Sequence, residues 1–283
     1  MKASQPAAAL ALILALVGFA SLPDARAASP AEDFQAFTAG SAKAVDHAAW
    51  TALLSKYVVP GADGINRVAY ARFRAEGRAA LDAYLKALQA EDPAALDRPE
   101  QFAFWANLYN AKTIAIVLDH LPVASIKDIS LGGGLLAAVT GGPWKAKVLK
   151  VMGHDLSLDD IEHGILRPVF KDPRVHYAVN CASLGCPNLG REAFTGARLD
   201  EQLDAAARAF INHPRGVAVE DGAAMASSIY SWFQDDFGGN ESGLLAHLRR
   251  YAEPALKSKL NGITAISEYR YNWSLNDAGA PAP

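Results

Sequence analysis

Apolar residues recur at near-helical spacing along much of the chain, and short runs of alternating polarity lie between these stretches. The strongest helical pattern covers Gln101–His120, where apolar residues surround most of the girth, as expected for a central, buried helix. Weaker helical patterns cover Phe34–Tyr57, Ala79–Ala90, Leu199–Asn212 and Leu244–Tyr251. Strands are predicted at Lys145–Met152, at an Asp-Gly hairpin that begins with Val217–Gly222, and at Tyr269–Ser274. The pattern predicts a helix-rich α+β fold: a single domain over residues 28–276 with a small antiparallel sheet, then a disordered tail at 277–283.

The N-terminal stretch has the features of a signal peptide. Lys2 provides a positive start, Ala8–Leu22 is apolar, and Ala25-Arg26-Ala27 fits the small-x-small cleavage pattern. A membrane anchor is the alternative, but the apolar run is short for a span of about 20 residues. The sequence therefore predicts removal of residues 1–27 and a periplasmic or secreted protein that has no membrane span after this removal.

Composition and motifs limit the classes of function. The formal net charge is −3 and the chain has no basic block, which argues against nucleic acid as a partner. The glycine-rich stretch Leu131–Gly142 lacks the phosphate-cradling and dinucleotide-binding patterns, so we predict a mobile loop or lid there and no cofactor. The seven histidines lack metal-binding spacings, and no metal site is predicted. The expected partner is therefore an unknown small-molecule or peptide substrate.

Both cysteines lie in one segment, Val175–Pro187, which we expect to be an apolar strand followed by a turn of small residues, the cysteine turn (181–187). Three interpretations are open for Cys181 and Cys186. An exported protein meets an oxidising compartment, and four intervening residues allow a stabilising disulfide. Cys181 can instead be a reactive thiol, supported by free backbone amides in the turn. The third interpretation is redox exchange or metal binding, although the spacing is not Cys-x-x-Cys.

A reactive Cys181 needs a base, and two histidines are candidates. His176 lies five residues before it. An extended strand would separate the two by about 16 Å and point their side chains to opposite faces. They can meet only if the chain bends between them. The rival base is His163, which follows Glu162 on another predicted helix.

The helix that carries Glu162 and His163 is predicted to begin after Ser157, a typical N-cap residue. It is predicted to end near Arg167, before Pro168. This helix would have to pack against the cysteine turn for its histidine to act as the base.

Two asparagines, Asn107 and Asn110, lie inside the apolar surround of the predicted central helix. A buried amide must find hydrogen-bond partners or cost a few kcal/mol. We favour a structural role, in which they tie down the backbone of a neighbouring loop, over direct catalysis. In the catalytic case Asn110, Asn180 or Glu162 would orient the base or bind the oxyanion.

Four ordered motifs resemble those of a known family. They are Phe104–Ala111, Ile161–Arg167, Asp172–Ser183 and Tyr271–Asn276. Together they resemble the family catalogued as domain of unknown function 547, over residues from about 90 to 276. The family usually has Asp where this chain has Asn272, so the resemblance implies no acidic role there, and it supplies no activity. A central helix followed by a strand led by histidine also resembles, more distantly, papain-like and transglutaminase-like hydrolases.

Two hypotheses of different classes follow. In the first, the chain is an exported cysteine-dependent hydrolase or acyltransferase acting on a peptide-like amide, with Cys181 as nucleophile and His176 or His163 as base. In the second, it is a non-catalytic binding or scaffold module. There a Cys181–Cys186 disulfide would staple the core, and a partner surface would be formed by the aromatic residues Trp232, Phe233 and Trp273.

Overall fold

The computed structural model describes residues 30–131 and 142–279. The predicted signal peptide (1–27) and most of the glycine-rich stretch (132–141) lie outside the described residues, and so does the end of the predicted tail (280–283). Within the described ranges, no helix has both the length and the apolar character needed to cross a membrane.

The central helix spans Arg98–His120 and confirms the strongest pattern in the sequence. The Asp97 side chain caps its start by accepting a hydrogen bond from the Glu100 N–H at 3.0 Å. Every residue from Glu100 to Leu118 except Lys112 is buried. Burial on all sides explains why the apolar pattern covers most of the girth.

Shorter helices surround the central helix. The helix predicted at Ala79–Ala90 spans Arg78–Gln89, and the one predicted at Leu199–Asn212 spans Leu199–Ile211. The remaining α-helices lie at Pro30–Phe34, Ala48–Tyr57, Tyr70–Glu76, Val175–Ala178, Ser228–Trp232, Glu241–Tyr251 and Pro254–Leu260. Short 3₁₀ helices lie at Pro93–Ala95, Ile126–Asp128, Gly196–Arg198 and Gln234–Phe237.

Short strands form small sheets in the described ranges. Two antiparallel pairs are β1 (Val58–Pro60) with β2 (Asn66–Val68) and β3 (Leu149–Val151) with β4 (His154–Leu156). A third sheet has the order β5-β6-β7, formed by Val217–Glu220, Ala223–Ser227 and Glu268–Arg270. The predicted Asp-Gly turn joins β5 to β6, and φ is 49° at Asp221 and 78° at Gly222, as a two-residue hairpin requires. β7 pairs in parallel with β6, so this sheet is mixed.

These elements confirm the helix-rich α+β class. The sheets have two or three strands each, while most of the core lies around helices. The finer expectation of a papain-like arrangement stays a prediction.

The helix predicted after Ser157 is a π-helix, Asp160–Phe170. Its start agrees with the prediction, because Ser157 Oγ accepts from the Asp160 N–H at 3.1 Å and Asp160 Oδ2 accepts from the Ser157 N–H at 2.6 Å. The predicted end before Pro168 is wrong. A proline ring clashes with the carbonyl four residues back in an α-helix, and the wider π turn relieves that clash.

The strand predicted at the start of Val175–Pro187 is instead one helical turn, Val175–Ala178. The Val179 N–H donates to Val175 O at 3.1 Å, and Val179 itself is extended. Consecutive buried apolar residues fit a buried strand and a buried helical turn equally well, so the sequence pattern does not distinguish them. The turn supplies the bend between His176 and the cysteines that the strand model lacked.

The described core contains two apolar clusters. The larger surrounds the central helix, and the second packs helices Leu199–Ile211 and Glu241–Tyr251 against the third sheet. Tyr177 belongs to the second cluster and its neighbour Ala178 to the first. The helical turn that carries His176 therefore lies where the clusters meet.

The C-terminal segment pairs with β2. Asp277 forms a parallel bridge with Val68, and the Ala278 N–H donates to Val68 O at 2.9 Å. Asp277 and Ala278 therefore pair with β2, whereas residues 280–283 of the predicted tail lie outside the described residues. Composition alone does not reveal pairing with a strand that lies far away in the sequence.

A candidate active site at the Cys181–Cys186 disulfide

A cavity of about 260 Å³ lies at the junction of the two apolar clusters. Its described walls include residues of the central helix, the π-helix, the cysteine turn and the segment after β7. Five of the predicted site residues line it: Cys181, Cys186, His176, His163 and Glu162. The other lining residues with polar or aromatic side chains are Tyr109, Trp144, Asp159, Trp232, Phe233, Tyr271 and Trp273.

Cys181 and Cys186 form a disulfide in the cavity wall. The Tyr271 hydroxyl lies 3.0 Å from Cys181 Sγ and 3.2 Å from Cys186 Sγ, and it is 2.9 Å from Ser183 Oγ. The backbone N–H of Cys181 donates to Cys186 Sγ at 2.9 Å. Hydrogen-bond donors thus lie next to both sulfurs, where they would stabilise a thiolate. Burial raises the pKa of Tyr271, which keeps its hydroxyl protonated as a donor.

The backbone amides of the cysteine turn bind within the protein. The N–H groups of Leu184 and Gly185 donate to Ser274 O at 2.9 Å and Asn272 O at 2.8 Å, and that of Ala182 donates to an asparagine side chain. These three N–H groups are therefore not free to bind an oxyanion, because buried amides take partners. These bonds also hold Ala182 at a φ of 60°, a left-handed conformation that costs about 1 kcal/mol or more for a residue with a Cβ.

His176 is held from several directions. Its Nε2 lies 2.6 Å from Asp236 Oδ2, its Nδ1 lies 3.9 Å from Glu162 Oε1, and its ring stacks on Phe233 with centroids 4.3 Å apart. We assign the proton of the neutral ring to Nε2, which donates to the carboxylate and leaves the lone pair on Nδ1. Arg167 Nε donates to the same Asp236 oxygen at 2.5 Å. Burial opposes ionisation of Asp236, but the hydrogen bonds from His176 and Arg167 outweigh it and hold its pKa well below the usual range.

Glu162 is a buried carboxylate in the cavity wall, 9 % exposed. Burial, together with the charge and hydrogen bond of Glu162, raises the pKa of Tyr109. His163 lies between two carboxylates, with Nδ1 3.9 Å from Glu162 and Nε2 3.9 Å from Asp159. Burial raises the pKa of Asp159, although His163 opposes the shift. Across residues 30–131 and 142–279, no three His, Cys, Asp or Glu side chains are arranged to hold a metal ion.

The asparagines bind backbone groups rather than the cavity. Asn110 Nδ2 donates to Ala178 O at 2.8 Å, and its Oδ1 accepts from the Asn180 N–H at 2.8 Å. Asn180 Nδ2 in turn donates to Pro187 O at 2.7 Å, which closes the cysteine turn. Asn107 makes the same pair of bonds to the backbone C=O and N–H of Phe194. These contacts favour the structural role for Asn107 and Asn110, and Asn180 has the same kind of role.

Several residues of the site were not predicted from the sequence, among them Asp236, Tyr271 and Tyr109. Asp236 lies in an aromatic and acidic run, but nothing in that run points to His176, 60 positions away. Tyr109 and Tyr271 both lie inside motifs that resemble the family. Those motifs were the available signal for the two tyrosines, although they do not say what either side chain does.

A family model described as "Protein of unknown function, DUF547" matches residues 93–211. The match confirms the resemblance inferred from the motifs, and the first three of them fall inside it, whereas Tyr271–Asn276 lies beyond its end. The description of the family carries no activity. Comparisons with curated proteins and with solved structures gave no match. The distant likeness to papain-like and transglutaminase-like hydrolases therefore stays a prediction.

Proposed function

We propose that the chain is a cysteine-dependent hydrolase or acyltransferase acting on a peptide-like amide, and that the disulfide masks its nucleophile until an external dithiol reduces it. The observation that carries the proposal is the orientation of His176. Asp236 holds its Nε2, which leaves Nδ1 as the basic nitrogen of a residue that lines the same cavity as Cys181. A nucleophile, a base and a group that orients the base are what covalent acyl transfer requires.

Reduction comes first. A thiolate of the dithiol attacks one sulfur of the Cys181–Cys186 bond and expels the other as a thiolate. The second thiol of the reductant then closes a cyclic disulfide, so two electrons pass to the protein and both cysteines become thiols. The hydroxyls of Tyr271 and Ser183, 3.0 Å and 3.4 Å from Cys181 Sγ, would then support a thiolate at Cys181.

In the reaction itself, His176 Nδ1 takes the proton of the Cys181 thiol and becomes an imidazolium. The Cys181 thiolate then adds to the amide carbonyl and forms a tetrahedral oxyanion. The C–N bond breaks as the leaving amine takes a proton from the imidazolium of His176, and a thioester remains on Cys181. Water, or an amine in acyl transfer, then gives a proton to His176 and displaces the Cys181 thiolate from the thioester. Because the N–H groups of Ala182, Leu184 and Gly185 are engaged, Tyr271 is the donor we assign to the oxyanion.

His176 fits the role of base better than His163. The side chain of His176 is 1 % exposed and lies 2.6 Å from a carboxylate oxygen, whereas that of His163 is 37 % exposed and lies 3.9 Å from its nearest carboxylates. A base held by a direct hydrogen bond keeps one orientation, which proton transfer requires. Glu162 lies 3.9 Å from Nδ1 of both rings and adds negative charge that favours either imidazolium.

The disulfide also favours a second candidate, a non-catalytic binding module. In that case the disulfide stabilises the cysteine turn, and a partner surface is formed by Trp232, Phe233 and Trp273. Trp232 is 46 % exposed and stacks on Trp273 with ring centroids 5.7 Å apart.

Under either candidate we propose that the chain is exported, to the periplasm or beyond the cell, after residues 1–27 are removed. The disulfide supports this, since disulfides persist in oxidising compartments.

The alkylation rate of reduced Cys181 as a function of pH separates the two candidates. The hydrolase proposal predicts that reduced protein reacts with iodoacetamide at about pH 6, well below the usual thiol pKa of about 8.5. His176→Ala should slow this reaction at least about ten-fold, whereas the matched variant His163→Ala should change it less than about two-fold. An ordinary thiol pH profile that is the same in wild type and His176→Ala would overturn the proposal and leave the binding module.

A further inference from the structure

The described residues that line the cavity include no lysine and no arginine. Its ionisable groups are carboxylates, histidines, tyrosines and the cysteine pair. Glu162 is 9 % exposed and Asp159 lies three positions before it, at the start of the π-helix. Arg167 lies over the Phe233 ring at 4.7 Å, but it donates to Asp236 and does not line the cavity. Glu162 and Asp159 are therefore the carboxylates that a bound cation would meet in the lining.

Much of the remaining wall is aromatic. The rings of Trp232 and Trp273 stack with centroids 5.7 Å apart and planes 26° apart, and Trp144 meets Trp273 edge-on at 5.8 Å. Lys127 Nζ lies over the Trp273 ring at 5.2 Å but does not line the cavity. Indole faces attract ammonium groups, and they do so more strongly where water is partly excluded.

We propose that the cavity binds an alkylammonium group of the substrate, with the charge near Glu162 and Asp159 and the aliphatic stem against the indole rings. This inference rests on the proposed function, since it names the substrate class of the same site. A volume of about 260 Å³ is small beside the roughly 300–1,000 Å³ typical of ligand pockets. The cavity therefore suits a small amine or one end of a larger substrate.

Two sources share this chemistry: a free alkylamine that acts as acyl acceptor, and a lysine side chain of a peptide. A free amine would lose its proton to His176 before it attacks the thioester, so the base already assigned completes the transfer. A lysine side chain would instead be bound as the cation beside the scissile amide. The two are distinguished by comparing pentylammonium with Nα-acetyl-lysine methylamide as ligands.

The binding test uses the oxidised full chain, in which no thiol is free to react. Pentylammonium, titrated by calorimetry with tryptophan fluorescence as a second readout, should bind at least about ten-fold more tightly than pentan-1-ol. Glu162→Gln should weaken pentylammonium binding at least about ten-fold. The matched control is Asp155→Asn, because its carboxylate is 63 % exposed and does not line the cavity, and it should change the affinity less than about two-fold.

A second pair of variants keeps the test valid if loss of the buried Glu162 disturbs folding. Trp232→Leu alters an exposed ring and should weaken binding about three- to ten-fold. Its control, Phe37→Leu, alters a ring that is 44 % exposed and lies away from the cavity, and it should leave binding unchanged.

Equal affinity for pentylammonium and pentan-1-ol, or a loss in Trp232→Leu no larger than in Phe37→Leu, would overturn this inference. Its failure is distinct from failure of the proposed function. Ammonium binding by a protein whose reduced Cys181 is unreactive would refute the hydrolase and retain the cation site. A reactive Cys181 in a protein that binds pentylammonium no more tightly than pentan-1-ol would retain the hydrolase and refute the cation site.

Discussion

Replacing Cys186 by Ser removes the disulfide with little change in packing. The serine hydroxyl can replace Sγ as acceptor for the Cys181 N–H, now 2.9 Å away, and as partner of Tyr271, now 3.2 Å away. No buried group is therefore left without a hydrogen-bond partner, and the main loss is the constraint on the unfolded chain. For the loop closed by residues five apart, the chain-entropy model gives about 2 kcal/mol.

Denaturant and thermal unfolding of the full chain measure this loss. For about 240 described residues the unfolding entropy is about 0.5 kcal/mol/K, so Tm should fall by about 4 °C in Cys186→Ser. Wild type treated with dithiothreitol should lose the same amount, and Cys186→Ser should not respond to the reductant. A loss below about 0.5 kcal/mol, or a variant that reductant destabilises further, would refute the assignment of the stabilisation to this staple.

Three other changes test the contacts around the site. Asn110→Ala leaves a buried backbone N–H and C=O unpaired, so it should lower the free energy of unfolding by about 2–5 kcal/mol in denaturant titration. Asp236→Asn keeps a polar neighbour for His176 but removes its counter-charge, so alkylation of the reduced protein at about pH 6 should slow about ten-fold. Burial lowers the pKa of His247 to about 4 from 6.5, and its ring bonds the Tyr177 hydroxyl at 2.9 Å. The unfolded state binds the extra proton in that window, so stability should fall as pH drops from about 6.5 to 4, and His247→Gln should flatten this slope in unfolding midpoints.

Local chemistry predicts several parts of this fold from sequence. The capping of the helix after Ser157 and the hairpin at Asp221-Gly222 depend on residues a few positions apart, so their signals are contained in short stretches. The central helix is equally predictable, because burial on all sides demands apolar residues around its girth.

The geometry of the candidate site is less predictable because it depends on distant residues. Asp236 meets His176 across 60 positions, and Tyr271 meets Cys181 across 90. A single sequence carries no signal for which of many acids or tyrosines will make such a contact. Whether His176 lines the same cavity as Cys181 also depends on the helical turn Val175–Ala178. An apolar run in the sequence does not distinguish such a turn from a strand.

For the asparagines, in contrast, the sequence does predict the kind of contact that the side chain makes. A polar side chain inside an apolar helix pattern indicates a specific hydrogen-bond partner, and Asn110 finds it in the backbone just before the cysteine turn. The physical argument anticipates the kind of partner but not its place in the chain. The same limit applies to Cys181 and Cys186, for which the spacing allows a disulfide and a reactive thiol alike.

The most direct test of Cys181 as the nucleophile is mass spectrometry of the reduced full chain after incubation with a p-nitrophenyl acyl ester. The proposed function predicts a single acyl group per chain, located on Cys181 by peptide mapping, that forms more slowly in His176→Ala. The adduct should be absent from the oxidised protein and from Cys181→Ala. An acyl adduct of equal yield in Cys181→Ala, or no adduct on a reduced protein whose Cys181 thiol is accessible to iodoacetamide, would contradict it.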